Sequence, residues 1–323
     1  MFNALIEKLK KDPKTIVFTE GPDARILEAT ARIKKEGIMK VILVGNVAEV
    51  EAAAKKGGFD IEGVEIIDPE TYAGMDEMVA KMVELRKGKM TPEQCKANLL
   101  KGNYFGTMLV KMGKAECLLG GATYSTADTV RPALQLIKTK PGNSIVSSCF
   151  IMTRDNADGT QEKLAMGDCA INIHPSEDDL VEIAQETAKC AETFGIDPKV
   201  AFLSFSTKGS AKDDEVTKVQ NAVAKAKEVM TVPVDGEMQF DAAVAPEVGQ
   251  LKFPGSKVAG QANTFIFPDV TAGNIGYKIA ARLGGFAAYG PILLGLNAPI
   301  NDLSRGCNAD EVYKMAIITA GLA

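Results

Sequence analysis

The stretch TIVFTEGPDARILEATARIKKEGIMKVILVG (residues 15–45) decides the fold class of this chain. Residues 15–18 form a short β-rich run, residues 24–35 have a helical pattern, and residues 41–44 form a second apolar run that ends at Gly45. Strands that alternate with helices through short Gly/Pro junctions indicate βαβ units and a mostly parallel sheet. The stretch therefore predicts an α/β domain.

The same alternation continues along the chain and restarts beyond Gly142. The first series adds a strand at residues 64–67, helices at about 76–87 and 92–100, and a strand-loop at 115–122. The second series has strands at 144–152, 164–173, 200–206, 264–267 and 288–294, with helices at 180–194 and 275–283. Two α/β sheets suggest two lobes and a cleft. Because ligands of open α/β folds lie beyond the carboxyl ends of strands, we expect the functional residues in loops that follow strands.

The composition is that of an ordinary globular protein. The chain has 323 residues, of which 46% are hydrophobic and 24% charged, and this length is comfortable for two domains. Its net charge of −5 argues against non-specific binding to nucleic acid. No apolar run approaches the ~18 residues that a membrane span needs, and the mixed charges of the first 14 residues do not fit a secretory signal. We therefore expect neither a nucleic-acid partner nor a membrane.

Cysteine and histidine usage limits the possible chemistry. The six cysteines show no CxxC spacing and lie singly in apolar surroundings, which is typical of buried thiols in a reducing cytosol. The one histidine, His174, precedes Pro175 and a predicted helix, which favours a structural role. A histidine-based zinc site is excluded, and a Ser-His-Asp or Cys-His mechanism would depend on this single base. We expect a cytoplasmic protein with no metal site.

The segment LNAPINDLSRGCNADEV (residues 296–312) is the first candidate for chemistry. Pro299 and residues 301–302 are predicted to break regular structure, and a helix is predicted to follow. Helix starts favour anions, and the guanidinium of Arg305 would add a charged fork that matches phosphate or carboxylate. Ser304 can donate to a developing oxyanion, and a nearby carboxylate can take a proton.

A simpler interpretation of this segment stays open. Asn308 and Glu311 have the spacing of a capping box, so they can serve only to start the last helix. Arg305 can then pair with Asp302 or Asp310. Spacing alone favours this simpler interpretation.

Three further loops have a composition that suits phosphate. In GGATYSTADTVRPALQ (residues 120–135), Ser125 and Thr126 offer hydroxyls and Arg131 a charge; the alternative is a Ser/Thr turn with Asp128 as cap. In SFSTKGSAKDDE (residues 204–215), Ser206 and Lys208 directly follow a strand, as in a phosphate-binding nest, although a solvated turn fits equally well. In ELRKGKM (residues 84–90), Arg86 lies at a basic helix end, which compensates the helix dipole or holds a terminal phosphate.

Seven long motifs, taken together and in order, resemble the phosphate acetyltransferases. They are NYFGTML (103–109), STADTVRPALQ (125–135), DCAIN (168–172), LSFSTKGSAK (203–212), DGEMQFDAA (235–243), AGNIGYKIA (272–280) and GPILLGLNAPINDLSRGC (290–307). The resemblance runs through nearly the whole chain, and so many ordered matches are very specific.

The resemblance implies the fold of the isocitrate and isopropylmalate dehydrogenases, with two α/β domains and an active site in the cleft between them. It places the first domain at residues 1–143 plus 299–323 and the second at residues 144–298. It also implies a homodimer that transfers acetyl between acetyl phosphate and coenzyme A, with inorganic phosphate as the other product. No covalent enzyme intermediate and no cofactor are implied, because coenzyme A is a substrate.

The family's functional residues can be placed on this chain one by one. Ser304 and Arg305 match the serine and arginine of its SRG motif, and Arg131 matches the arginine of its RPALQ motif. Arg86 matches the arginine that helps to hold coenzyme A. The family's proposed base is an aspartate seven residues after the SRG serine; here Glu311 has that position and Asp310 precedes it, so either can be the base. Ser125, Thr126, Ser206 and Lys208 complete the expected substrate-binding set.

Three alternative functions each require different sequence features. A phosphate butyryltransferase would differ in the size of its acyl pocket, and selectivity per methylene is only ~1–3 kcal/mol. A non-catalytic acyl-CoA-sensing module would not need the serine, arginine and adjacent acid that this chain keeps. A dehydrogenase of the same fold would need a metal-binding aspartate cluster and a nucleotide signature, which the sequence does not show.

Overall fold

The computed structural model describes residues 2–323, which divide into two compact units. The first unit runs to Pro141 and resumes over Leu296–Ala323, and the second is Gly142–Gly295. These limits lie within three residues of the predicted domain boundaries. Each unit contains its own β-sheet.

Eleven strands and thirteen α-helices occur in the described residues, together with one π-helical turn at Ala133–Ile137. The strands are β1 (Thr15–Phe18), β2 (Lys40–Val44), β3 (Glu65–Ile67), β4 (Cys117–Gly120), β5 (Ser147–Asp155), β6 (Gln161–Gly167), β7 (Val200–Leu203), β8 (Val234–Met238), β9 (Thr264–Ile266), β10 (Ala287–Leu294) and β11 (Ile300–Asp302). The helices are α1 (Phe2–Lys11), α2 (Ala24–Glu36), α3 (Val47–Gly57), α4 (Met75–Arg86), α5 (Pro92–Leu99), α6 (Gly102–Lys111), α7 (Thr126–Pro132), α8 (Glu177–Thr193), α9 (Asp214–Val229), α10 (Phe240–Val244), α11 (Pro246–Lys252), α12 (Val270–Arg282) and α13 (Ala309–Gly321). None of the helices in residues 2–323 is long and apolar enough to cross a membrane.

The sheet of the first unit is fully parallel. Its order is β11-β4-β1-β2-β3, so the C-terminal part of the chain returns to add an edge strand beside β4. The final helix, α13, is apolar on nearly every face, and its residues 315–321 are buried throughout. A helix that is apolar all round must be covered on all sides, which anchors the chain end in this unit.

The sheet of the second unit is mixed, with the order β10-β5-β6-β9-β7-β8. Strands β6, β9, β7 and β8 run parallel, whereas β5 is antiparallel to both β6 and β10. Helices α8 and α9 bury an apolar face against one another and the sheet, and the buried stripe of α9 consists of Val219, Ala222, Val223 and Ala226. The α/β class with two sheets is therefore confirmed.

Two predictions about local structure are wrong. Residues 301–302 were predicted to break regular structure, but they lie in β11, because backbone pairing with β4 outweighs their low strand propensity. The strand predicted to reach residue 173 ends at Gly167. The chain turns there because the Asp168 carboxylate accepts the N–H groups of Ala170, Ile171 and Asn172.

Candidate active site

Three loops meet at the carboxyl ends of the adjacent strands β11, β4 and β1. They are residues 303–308 (the SRG loop), 121–125 and 19–23. The SRG loop leaves β11 with a hydrogen bond from the Leu303 N–H to the Gly120 carbonyl, at 2.7 Å. Loops that follow strands were the expected location, and parallel pairing of the three strands brings these loops to one edge of the sheet.

Arg305 presents a free guanidinium on the SRG loop. Its side chain is exposed and has no hydrogen bond or ion pair with another residue of the described chain. The predicted alternatives for it are otherwise engaged: Asp302 accepts the hydroxyls of Thr126 and Thr129, and Asp310 has two basic partners. The fork of Arg305 is thus available for an anion.

Ser304 lies one residue before this guanidinium and is also exposed. Its Oγ accepts the N–H of Gly306 at 3.2 Å. In the described contacts the hydroxyl acts only as an acceptor, so its O–H can donate outward. The loop therefore offers a cation and a neutral donor side by side.

The two candidate bases have different environments. Asn308 and Glu311 form the predicted capping box, in which the Asn308 N–H donates to Glu311 Oε2 at 2.9 Å. The other oxygen of Glu311 has no contact among the described residues. Asp310 is held by Lys314 at 2.7 Å and Arg32 at 3.0 Å, and the hydrogen bond from Lys314 is the main cause that lowers the pKa of Asp310. A lowered pKa makes Asp310 a weaker base than an unpaired aspartate.

In the loop after β4, the predicted hydroxyls mainly hold the loop itself. Ser125 donates to the Asp128 carboxylate at 2.7 Å, and Thr126 donates to Asp302 at 2.6 Å. Both hydroxyls are already used, so the alternative of a self-contained turn fits them better than direct phosphate contact. Arg131 is exposed, and its one ion pair, with Asp128, is long at 3.6 Å. The guanidinium therefore remains accessible to a ligand.

Two buried carboxylates, Glu20 and Asp302, organise this edge. Glu20 accepts the N–H groups of Gly121 and Thr123 and also the Thr123 hydroxyl, at 3.0, 2.6 and 2.8 Å. Burial raises the pKa of Asp302, and this effect outweighs the hydrogen bonds from Thr126 and Thr129, which lower it. A glutamate directly after a strand, in TEGPD, was the only local signal for Glu20.

Arg86 is the last residue of α4, and its Nε is buried without a hydrogen-bond partner among the described residues. Buried polar groups are almost always paired, so an orphaned guanidinium N–H suggests that an external group completes the site. The expected contact of Arg86 with a substrate phosphate is compatible with this orphaned atom.

The loop after β7 differs from the predicted phosphate nest. Ser206 is fully buried and donates to Glu237 Oε1 at 2.8 Å, and the Gly209 N–H donates to the same oxygen at 2.7 Å. The anion in this nest is thus the chain's own Glu237 carboxylate. Lys208 is exposed, with its ammonium 5.0 Å from the ring centroid of Phe253.

No group of three or more His, Cys, Asp or Glu side chains suited to a metal ion occurs within residues 2–323. The six cysteines are all unpaired and buried. The side chains available at the carboxyl edge of the first sheet are therefore arginines, hydroxyls and carboxylates, which bind anions and transfer protons.

Comparison with known proteins shows the family. The family model described as phosphate acetyl/butaryl transferase matches residues 1–320. The chain is 53% identical to the phosphate acetyltransferase of Bacillus subtilis, over 100% of this chain and 99% of the relative. A solved phosphotransacetylase structure from Streptococcus pyogenes has a TM-score of 0.96 and 53% identity, over 99% of this chain and 97% of that chain. A phosphotransacetylase from Staphylococcus aureus has a TM-score of 0.92 and 50% identity, over 99% and 97%.

A more distant structure agrees on the fold alone. The branched-chain phosphotransacylase of Enterococcus faecalis has a TM-score of 0.70 at 20% identity, over 96% of this chain and 98% of that chain. The architecture is the isocitrate dehydrogenase-like fold that the resemblance implied. The chain belongs to the phosphate acetyl/butaryl transferase family and is an acyltransferase with phosphate acetyltransferase activity.

Proposed function

We propose that the chain transfers acetyl by direct attack of the coenzyme A thiol on acetyl phosphate while both substrates are bound. The base removes the thiol proton, the sulfur forms a bond to the acetyl carbon, and the bond from that carbon to the phosphate oxygen breaks. A thiol with a pKa of ~8.5 is only a few per cent thiolate at neutral pH, so a carboxylate base within reach raises the rate by ~100- to 10,000-fold. Inorganic phosphate leaves.

Arg305 and Ser304 hold the phosphoryl group in this proposal. The free fork of Arg305 can make two parallel hydrogen bonds to phosphate oxygens, and the Ser304 O–H can donate to the oxygen that gains charge. The observation that carries the proposal is the unpaired guanidinium of Arg305 at the ends of three parallel strands, where the neighbouring Asp302 and Asp310 are satisfied by other partners.

Glu311 is the proposed base. One of its oxygens keeps the capping contact with the Asn308 N–H, which fixes the direction of the carboxylate, and the other is free to accept a proton. Asp310 would first have to break its ion pairs with Lys314 and Arg32. These two partners also lower the pKa of Asp310, so its carboxylate accepts a proton less readily. Glu311 therefore needs the smaller rearrangement.

The remaining substrate contacts are proposed for the accessible cations. Arg86 and Arg131 of the first unit would bind the phosphates of coenzyme A, whereas Ser125 and Thr126 would shape the loop after β4. Lys208, in the second unit, stays a predicted substrate contact. We leave Ser206 out of the ligand set because its hydroxyl is buried against Glu237. The acyl preference for acetyl over butyryl rests on the relatives named phosphate acetyltransferase.

Two wider proposals rest on the resemblance and on composition. We infer that the chain acts as a homodimer, as the family resemblance implies. A cytoplasmic location fits its six unpaired cysteines, because free buried thiols are typical of reducing compartments.

The variant Arg305→Ala tests the proposed phosphate site. Removing one preorganised donor to a developing charge typically costs ~100- to 1000-fold in turnover, so kcat/KM for acetyl phosphate should fall by about that factor. Arg305→Lys keeps the charge without the fork and should recover only part of the loss. Thermal unfolding of each variant checks that the fold is kept, which the exposed position of Arg305 favours. Near-native kinetics in a folded Arg305→Ala protein would refute the assignment.

A further inference from the structure

The guanidinium of Arg25, near the start of α2, joins the three loops at the carboxyl edge of the first sheet. Its Nε and one Nη bind the two oxygens of Asp23 at 2.9 and 2.7 Å. That same Nη donates to the Ala122 carbonyl at 2.9 Å. The other Nη donates to the carbonyls of Arg305 and Cys307 at 2.9 and 3.2 Å. One side chain thus contacts the loops after β1, β4 and β11.

These contacts use the whole hydrogen-bonding capacity of the guanidinium. An arginine has five N–H donors in a fixed plane, and Arg25 makes five hydrogen bonds to oxygen in three directions. Its hydrogen bond with Asp23 raises the pKa of Arg25. Arg25 therefore has no donor left for a substrate, and its effect on the reaction must pass through the backbone it holds.

The first of the two SRG-loop carbonyls leads directly to Ser304. A trans peptide unit directs its C=O and its N–H to opposite sides. In the unit between Arg305 and Gly306, the C=O points to Arg25 and the N–H donates to Ser304 Oγ at 3.2 Å. Fixing this carbonyl therefore also fixes the hydroxyl that we place on the phosphoryl group.

The second carbonyl leads to the base. In the peptide unit between Cys307 and Asn308, the C=O accepts from Arg25, and the N–H donates to Glu311 Oε2 at 2.9 Å. The carboxylate proposed as base is thus one peptide unit away from the same guanidinium. Both proposed catalytic side chains depend on peptide planes that Arg25 orients.

We propose that Arg25 is a positioning residue for acetyl transfer: it sets the two SRG-loop peptide planes that aim Ser304 and Glu311. This inference rests on the proposed function, because it assigns Arg25 a role through those two residues. A lysine could not replace it, since one ammonium offers three donors at a single point and cannot reach three loops.

The test compares Arg25→Ala, Arg25→Lys and the control Arg154→Ala. Arg154 is matched in contact type, because its guanidinium binds the Glu162 carboxylate at 2.7 Å and the Gly284 carbonyl at 2.9 Å in the second unit. Because misplacement of a reacting group by ~1 Å can cost ~100-fold, kcat should fall ~10- to 100-fold in both Arg25 variants. KM for acetyl phosphate should rise by roughly tenfold and KM for coenzyme A by less than about twofold, and Arg154→Ala should change neither.

Chemical rescue separates positioning from a general loss of stability. Added guanidinium chloride, well below concentrations that unfold proteins, should fill the gap in Arg25→Ala and restore kcat in a saturable way. A variant that is only destabilised would lose further activity under the same conditions. If Arg25→Ala does not fold, Arg25→Lys provides the same comparison of the two KM values.

The outcomes distinguish this inference from the proposed function. Loss of activity in Arg305→Ala with native kinetics in the folded Arg25 variants would overturn the inference and leave the proposed function intact. Native kinetics in Arg305→Ala would overturn the proposed function itself. An equal rise in both KM values without guanidinium rescue would also overturn the positioning role, since only a loss of fold would then remain.

Discussion

At the residue scale, the chemistry depends on which polar groups are left without an internal partner. Most acids at the carboxyl edge of the first sheet are satisfied: Glu20 by backbone N–H groups, Asp302 by two hydroxyls and Asp310 by two cations. Arg305 and one oxygen of Glu311 have no such partner. These two groups, together with the O–H of Ser304, are therefore free to contact a substrate.

Exchanging single carboxylates for amides decides between the two candidate bases. Glu311→Gln keeps an oxygen that can accept the Asn308 N–H, so the capping box survives while the base is lost. We expect kcat to fall ~100-fold or more. Asp310→Asn removes only exposed ion pairs and should stay within about threefold of the native rate. The reverse order, measured by initial rates across the pH range, would move the base to Asp310.

The site residues that the sequence revealed are those with a local motif. The capping box of Asn308 and Glu311 spans three residues, so its pattern is visible in the sequence and the structure confirms it. Glu20 and Arg25 act across about a hundred residues or more, on Thr123 and on the SRG loop. No local spacing encodes such contacts, which is why the sequence analysis did not find them.

At the element scale, the edge strand β11 and the helix α7 are joined by the buried Asp302. Its two oxygens accept from Thr126 at 2.6 Å and from Thr129 at 2.5 Å. Because burial raises the pKa of this acid in the folded chain, its contribution to stability is present below the ordinary carboxyl pKa and is lost as the pH rises through the raised value. At neutral pH, the hydroxyls of Thr126 and Thr129 reduce the free-energy cost of burying the charged carboxylate.

Thr129→Val should therefore destabilise the fold in a pH-dependent way. Valine keeps the shape of the buried side chain but leaves Asp302 Oδ1 without a donor, which typically costs ~1.5–3 kcal/mol for a charged acceptor. The loss should shrink as the pH is lowered and Asp302 becomes protonated. Urea unfolding at several pH values measures it. Thr217→Val is the control, since that exposed hydroxyl contacts only the Asp213 carbonyl. Equal losses in the free energy of unfolding of both variants would contradict the role of Thr129 as a donor to buried Asp302.

Elements with their own start and stop signals were predictable, and elements defined by distant partners were not. Helix α8, predicted over residues 180–194, begins with a capping box of Ser176 and Asp179, whose three-residue spacing is visible in the sequence. The short strands β8 and β11 were missed because polar and small residues dominate both segments, and only pairing with β7 and β4 makes them strands. The contact of Glu237 with the loop after β7 was not visible in the sequence for the same reason, because Glu237 lies about 30 residues away.

For the whole molecule, the fold class was predictable from the order of its strands and helices. Alternating strands and helices predicted two α/β sheets, and two sheets are present. The return of the C-terminus to the first unit came from the family resemblance, not from periodicity. Its physical basis is visible in the structure, since the apolar helix α13 is buried in the first unit beside the sheet that β11 completes.

Isotope exchange distinguishes direct transfer between two bound substrates from transfer through an acetylated enzyme. Labelled inorganic phosphate is incubated with acetyl phosphate and the purified protein, with and without coenzyme A. Direct transfer predicts that label enters acetyl phosphate only when coenzyme A is present, because only the complete reaction and its reverse can exchange the phosphate. Exchange without coenzyme A would reveal an acetylated enzyme and contradict direct transfer. The absence of exchange when coenzyme A is supplied would contradict it as well.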